Sequence, residues 1–147
     1  MNDWLNRMAA EKDQLTTRLK TYYEFIGRQR LALTDEKRAQ QDLANAFVAA
    51  GISFQRELQL TIEDVPEDRR AQATHKRDIP DFMLPGGVVV ELKLRGNQKV
   101  AVFNQLERYA QHDGVKAIML VTNLAMGLPE EINGKPAFII SMGRAWL

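Results

Sequence analysis

The chain contains no cysteine, and this absence removes several kinds of chemistry at once. Without cysteine there can be no disulfide, no thiolate metal site and no cysteine nucleophile. The two histidines, His75 and His112, are too few for a zinc site unless carboxylates provide most of the ligands.

Long apolar runs and a strong excess of one charge are also missing. No stretch approaches the ~18–20 apolar residues that a membrane span needs. The first residues lack the basic-then-apolar order of a signal peptide. We therefore expect a soluble, cytoplasmic protein without a membrane partner. The formal charge of +1 excludes a histone-like polycation, but it still allows DNA binding through local basic clusters.

The first part of the sequence is typical of two helices. Residues 3–25 contain neither Gly nor Pro and repeat apolar side chains at helical spacing. A second helix is predicted between Thr34, as its N-cap, and Gly51, as its C-terminal stop. The length of 147 residues suits one domain with a modest addition. We interpret residues 1–30 as an N-terminal helical extension and residues 31–147 as the main domain.

After Gly51 the pattern changes to that of β-strands separated by one further helix. The expected elements are strands over Ile52–Leu60, Asp78–Leu84 and Val88–Leu94, a helix over Gln98–His112, and strands over Lys116–Thr122 and Ala137–Ile140. The second and third strands would form a hairpin through Pro85-Gly86-Gly87. This order predicts a mixed β-sheet flanked by helices, which is an α/β fold.

The hairpin brings acidic and basic side chains together. A three-residue loop at Pro85-Gly86-Gly87 places Asp81 opposite Glu91, on one face of the sheet. Side chains alternate along a strand, so Lys93 lies on that face as well. Asp78, an odd number of residues from Asp81, is expected on the other face.

Two carboxylates held this close are unfavourable unless a cation joins them. A carboxylate pair suits Mg²⁺, which takes one or two such ligands and retains several waters. A neighbouring lysine can orient a water or stabilise developing negative charge. The three groups together favour metal-assisted phosphodiester hydrolysis. The alternative is a surface hairpin in which Glu91 and Lys93 form an ordinary charged pair.

Pro80-Asp81 followed by Glu91-Leu92-Lys93 resembles the signature of the PD-(D/E)XK nuclease superfamily. The predicted order of elements between residues 34 and 122 is similar to the core of that superfamily. Gln105 and Tyr109 also resemble the Gln-x-x-x-Tyr motif of the RecB-like exonuclease branches of this superfamily. Its resolvase-like branches are an alternative, because their chains are similar in size to this one. The resemblance implies a restriction-endonuclease-like sheet and a DNA nuclease dependent on Mg²⁺ or Mn²⁺.

The resemblance also implies a role for each matching residue. Asp81, Glu91 and the Leu92 carbonyl would bind the metal, and Lys93 would position the attacking water. Gln105 and Tyr109 would support the site or contact DNA.

Members of the superfamily often add an acid from the first core helix. Glu36 shares the apolar stripe of Leu43 and Phe47, so it could face inward. Gln40 lies on the same stripe, and Asp42 lies beside it. The alternative for Glu36 is an acid that only interacts with the helix dipole.

Basic clusters flank the hairpin on both sides. The candidate DNA-contacting residues are Arg70, Lys76, Arg77, Arg95 and Lys99. Each cluster could instead be an ordinary solvated surface.

Two other classes of function stay open. The chain could be a non-catalytic DNA-binding or assembly module that retains the nuclease fold. It could also be a scaffold whose N-terminal helix, with Trp4 near its start, forms a homodimer. The sequence leaves open whether DNA ends, flaps, junctions or duplex sites would be cut.

Overall fold

A mixed six-stranded sheet and three helices make up the part of the chain that the computed structural model describes, residues 3–60, 65, 67 and 78–143. In chain order the elements are α1 (Asp3–Gly27), α2 (Glu36–Ala50), β1 (Gln55–Arg56), β2 (Phe82–Leu84), β3 (Val88–Lys93), α3 (Lys99–Tyr109), β4 (Ala117–Thr122), β5 (Glu131–Ile132) and β6 (Lys135–Ser141). The predicted α/β class is confirmed.

The sheet combines an antiparallel and a parallel half. Its strand order is β1-β2-β3-β4-β6-β5. Strands β1, β2 and β3 pair antiparallel, β3, β4 and β6 pair parallel, and β5 pairs antiparallel with β6 at the edge. Helix α3 lies in the connection from β3 to β4, where a parallel pair requires a crossover. Every residue of β4 is buried, as expected for a central strand covered on both faces.

Each face of the sheet packs against its own helices. Helices α1 and α2 cover one face, where Leu43 and Phe47 pack with Phe82. Helix α3 covers the other face, where Leu106 packs with Val89. Because side chains alternate along β3, the residues two and four positions after Val89 also point toward the α3 face.

The ends of α2 differ partly from the prediction. Thr34 is not the N-cap, because the carboxylate of Asp35 accepts hydrogen bonds from the N–H groups of Lys37 and Arg38, at 3.1 and 3.3 Å. Asp35 is one residue closer to the first free N–H groups of the helix, and its carboxylate satisfies two of them. The predicted stop at Gly51 is confirmed, with φ of 71° in the left-handed region.

Two predicted strands are shorter than expected. The prediction of a strand over Ile52–Leu60 is wrong except for β1, because Glu57 has φ of 55° and turns the chain out of the sheet. Leu60 then forms only an isolated bridge with Asp78. The strand over Asp78–Leu84 begins at β2, after Pro80, whose nitrogen has no hydrogen to donate. The short strand β5 has no counterpart in the prediction.

Only the second half of α1 is packed against the sheet. Leu19, Tyr22 and Ile26 are buried in the core under this helix. Trp4 and Met8, near its start, are more than half exposed. No helix in the described residues has the length and apolar character needed to cross a membrane.

Candidate active site

The hairpin between β2 and β3 has the predicted register. Leu84 pairs with Val88, which leaves a three-residue loop of Pro85, Gly86 and Gly87. Gly87 has φ of 76°, and a Cβ atom there would lie 2.4 Å from the Gly114 carbonyl oxygen. Glycine is therefore required on both conformational and steric grounds. Continuing the register inward from the loop brings residues 81 and 91 side by side.

Asp81 and Glu91 are linked by reciprocal contacts with the backbone. The Asp81 N–H donates to Glu91 Oε1 at 3.0 Å, and the Leu92 N–H donates to Asp81 Oδ2 at 2.8 Å. Glu91 is only 1% exposed, in the middle of a strand of valines. The two carboxyl groups are thus held together where the regular ladder between β2 and β3 ends.

Burial makes the charged state of this pair unfavourable. Burial raises the pKa of Asp81, while its contacts with Glu91 and with the Leu92 N–H act in the opposite direction. Burial, and then the charge of Asp81, raise the pKa of Glu91 well above its ordinary value. Without a cation the pair therefore favours a state in which the two groups share a proton.

Lys93 provides positive charge beside the pair. It lies on the α3 face of β3, two residues after Glu91, and is partly buried. Its ammonium lowers the pKa of both Asp81 and Glu91. Within the described part of the chain, ion pairs join Asp78 to its partners, and none involves Lys93. The ammonium is therefore close enough to affect both carboxyl groups, but it forms no direct ion pair with either of them.

Tyr109 reaches Glu91 from α3, and Gln105 contacts the Tyr109 hydroxyl. They are one helical turn apart, and Gln105 Nε2 donates to the Tyr109 hydroxyl at 2.7 Å. That hydroxyl donates to Glu91 Oε2 at 2.6 Å and lies 3.1 Å from the Ile79 carbonyl oxygen. Burial, and then the charge of Glu91, raise the pKa of Tyr109, so the phenol keeps its proton. Tyr109 thus contacts Glu91 directly, and Gln105 contacts Tyr109; their role in supporting the site or contacting DNA stays a prediction.

Of the three first-helix candidates, Glu36 approaches the site. Its Oε1 accepts hydrogen bonds from the Leu94 N–H at 2.8 Å and from Asn97 Nδ2 at 2.9 Å. Its charge also contributes to the raised pKa of Asp81. Asp42 instead accepts a hydrogen bond from the Ala32 N–H. Glu36 thus joins α2 to the chain directly after β3.

The oxygen atoms near the pair suit a hard cation. In a strand, the N–H and C=O of one residue point to the same edge, so the Leu92 carbonyl points to the Asp81 side. The Lys93 carbonyl points the other way and accepts a hydrogen bond from the Thr122 hydroxyl. Within residues 3–60, 65, 67 and 78–143, no three His, Cys, Asp or Glu residues form a metal cluster. Two carboxylates and a carbonyl fit Mg²⁺ or Mn²⁺, which retain water ligands, better than zinc.

Two of the predicted basic residues are exposed near this end of the sheet. Arg95 and Lys99 lie between β3 and the first turn of α3. Arg95, Asn97 and Asn123 line a cleft of about 1240 Å³ at the carboxyl ends of β3, β4 and β6, together with Glu36. Ligands of parallel sheets commonly bind at this end of the strands. The other predicted residues, Arg70, Lys76 and Arg77, lie outside the described residues, as does His75.

Sequence reasoning missed a second polar cluster beside the site. Asp78 was expected on the opposite face from Asp81, and this is wrong: its carboxylate contacts Arg108 Nε at 3.2 Å and His112 Nε2 at 2.9 Å, both from the α3 side. The alternation fails because β2 begins only at Phe82. His112 is likewise buried against Asp78.

A signal for this cluster was present in the sequence. Four polar residues recur at helical spacing along and just beyond α3, namely Gln105, Arg108, Tyr109 and His112. A polar stripe beside the apolar one indicates that the helix covers polar partners.

Comparisons with protein-family models, with curated proteins and with solved structures return no match for this chain.

Proposed function

We propose that the protein is a deoxyribonuclease of the PD-(D/E)XK type that depends on Mg²⁺ or Mn²⁺. In this proposal the sheet with α2 and α3 is a restriction-endonuclease-like core. The observation that carries the proposal is the pairing of the half-buried Asp81 carboxyl group with the buried Glu91 carboxyl group, with a lysine on the same face. The pair matches the motif that the sequence analysis identified.

The energetics of the pair support a cation. Two buried carboxylates in contact repel each other, and each loses the solvation that would stabilise its charge. A structural role would be filled more favourably by apolar residues, as elsewhere in β3. Binding of a divalent cation offsets both penalties and displaces the shared proton. Ion binding therefore explains why this strand contains an acid, Glu91, that pairs with Asp81.

Asp81, Glu91 and the Leu92 carbonyl would hold the metal. When bound, Mg²⁺ would act as a Lewis acid toward the scissile phosphate. The Tyr109 hydroxyl holds Glu91 Oε2 in a fixed orientation, because the phenol stays protonated. Glu36 holds the chain that follows Lys93.

Lys93 would carry the positive charge that the reaction needs. Its ammonium is partly buried beside the carboxylates, where it can orient the attacking water and stabilise charge that develops on the phosphate. A lysine that interacts with both acids also favours their ionised forms, which are the forms that bind metal.

DNA would approach along the cleft at the carboxyl ends of the parallel strands. Arg95 lines this cleft, Lys99 is exposed at the start of α3, and both would contact phosphates. We further propose a cytoplasmic location, and a homodimer formed through the exposed first turns of α1 around Trp4.

The test is cleavage of labelled linear, nicked, flap and four-way DNA with Mg²⁺, with Mn²⁺ and with EDTA. We expect Asp81→Asn, Glu91→Gln and Lys93→Gln each to lower cleavage by at least about 100-fold. Glu107→Gln, on the exposed side of α3, is the matched control. Full cleavage by all three variants, or cleavage in EDTA, would refute the mechanism. DNA binding by a wild-type protein that never cleaves would favour the non-catalytic module.

A further inference from the structure

Three polar side chains with no part in the proposed chemistry meet in the core beside the carboxyl pair. Asp78 accepts from Arg108 Nε at 3.2 Å and contacts His112 Nε2 at 2.9 Å. Asp78 is 4% exposed and His112 is 2% exposed. We call these three residues the Asp78 clamp.

The contacts of the Asp78 clamp all converge on one carboxylate. Both oxygens of Asp78 are used, one by Arg108 in α3 and one by His112 just beyond its end. The other ring nitrogen of His112, Nδ1, has no hydrogen-bond partner among the described residues. Among the described residues, the His112 side chain therefore hydrogen-bonds to Asp78 alone. A buried carboxylate is retained only when such partners offset its desolvation.

The position of the Asp78 clamp in the chain explains what it does. Asp78 begins the segment that ends at Asp81, a distance of about 10 Å in extended chain. Regular pairing of β2 with β3 begins only after Asp81. The backbone of this segment is held by single hydrogen bonds, from the Leu60 N–H to the Asp78 carbonyl and from the Glu57 N–H to the Asp81 carbonyl. Pro80 within it restricts the backbone torsion φ. Fixing Asp78 consequently restricts where Asp81 can lie.

Helix α3 contacts both Glu91 and the segment that precedes Asp81. The Tyr109 hydroxyl from α3 holds Glu91 directly, and it also lies 3.1 Å from the Ile79 carbonyl oxygen. Arg108, the preceding residue of α3, holds Asp78. The mutual repulsion of Asp81 and Glu91 would otherwise separate them.

We propose that Asp78, held by Arg108 and His112, is a positioning residue that sets the location of Asp81 relative to Glu91. The effect of Asp78 on metal binding rests on the proposed function, whereas its effect on the position of Asp81 does not. The Asp78 clamp keeps two repelling groups close enough to share one cation.

Amide hydrogen exchange tests the geometry without any metal. The Asp81 and Leu92 N–H groups donate to Glu91 and Asp81, so their protection reports on the pair. In Asp78→Asn we expect their exchange to accelerate at least about tenfold, because local opening governs exchange. Amides of β4 should keep the wild-type rate. Glu107→Gln should leave every one of these rates unchanged.

Titration with Mn²⁺, followed by electron paramagnetic resonance, tests the consequence. We expect Asp78→Asn to weaken Mn²⁺ binding about 10–100-fold, as loss of a group behind a metal ligand does. Arg108→Gln, which leaves the His112 contact in place, should give a smaller change in both measurements. Arg108→Gln also tests the Asp78 clamp if the Asp78→Asn variant fails to fold.

Unchanged exchange at Asp81 and Leu92 in both variants would overturn the inference, as would an equal acceleration throughout β4. A wild-type protein that binds no Mn²⁺ and cleaves no DNA would instead refute the proposed function. In that case the exchange rates would still show whether the Asp78 clamp positions Asp81.

Discussion

The hydroxyl of Tyr109 donates a hydrogen bond to Glu91 Oε2 over 2.6 Å, and both groups are buried. The phenol comes from the last residue of α3 and the carboxylate from the strand that α3 covers. A neutral donor at this distance lowers the pKa of Glu91, against the larger effect of burial. The contact therefore links the packing of the helix to the charge state of the site.

Tyr109→Phe should lower the free energy of unfolding by about 1–3 kcal/mol, because a buried acceptor loses its donor. The pKa of Glu91 should rise further, since the hydrogen bond lowers it. Urea denaturation and a carboxyl titration followed by NMR measure the two effects. Tyr23→Phe, at a side chain that is 44% exposed, is the control. Equal stability of the two variants would contradict the prediction.

Metal-free protein should lose stability as the pH rises. Burial raises the pKa of Asp81 and Glu91, so the folded state binds protons more tightly than the unfolded chain. That contribution is complete below the unfolded pKa values, about 4, and disappears as the pH passes the folded ones. Thermal unfolding in EDTA between pH 4 and 8 measures the slope.

Asp81→Asn should flatten this slope and raise Tm at pH 8, by about 2–4 °C for each kcal/mol of repulsion removed. Added Mg²⁺ should stabilise the wild type and leave the variant unchanged, because one ligand is missing. A steeper loss of stability in the variant would show that the carboxyl pair is not the source.

Glu36→Ala and Asp42→Ala each remove a carboxylate that accepts a backbone hydrogen bond, from Leu94 and Ala32 respectively. Each should cost about 1 kcal/mol or more in urea denaturation. Only Glu36→Ala should lower the pKa of Asp81, because the charge of Glu36 raises it. An NMR titration of the Asp81 carboxyl distinguishes them, and an identical Asp81 pKa in both variants would argue against a role for Glu36.

Gly87→Ala should destabilise the hairpin more than Gly86→Ala. Both glycines have positive φ, which costs an L-residue about 1–2 kcal/mol. At Gly87 the added Cβ would also lie 2.4 Å from the Gly114 carbonyl oxygen, whereas at Gly86 its nearest contact would be the flexible Arg18 side chain. Denaturation midpoints of the two variants provide the comparison. A larger loss for Gly86→Ala would mean that the turn has a different conformation.

The hairpin and the ends of α2 show how far local patterns reach. Alternation of valines and a glycine loop predicted the pairing of Leu84 with Val88, because register follows from loop length. Gly51 was recognisable because few other residues adopt the left-handed conformation at a helix end. The same alternation failed over residues 52–60, where the turn at Glu57 leaves no sequence signal.

The partners of Asp78 and Glu36 could not be predicted from local patterns. Asp78 and His112 are 34 residues apart, and Glu36 and Leu94 are 58 apart. Neither contact belongs to a ladder or a helix turn, so spacing carries no information about it. Both depend on how α2 and α3 pack on the sheet.

The amino-acid order alone was sufficient for the α/β class, the acidic hairpin and the lack of any cysteine chemistry, since each follows from residue type and short-range spacing. Packing was needed to turn two acids into a buried, proton-sharing pair. Their raised pKa values arise from the loss of water when α3 covers β3, and desolvation depends on every neighbour at once. The packing of α3 on the sheet also places Tyr109 against Glu91. It places the Asp78 clamp at the start of the segment that leads to Asp81.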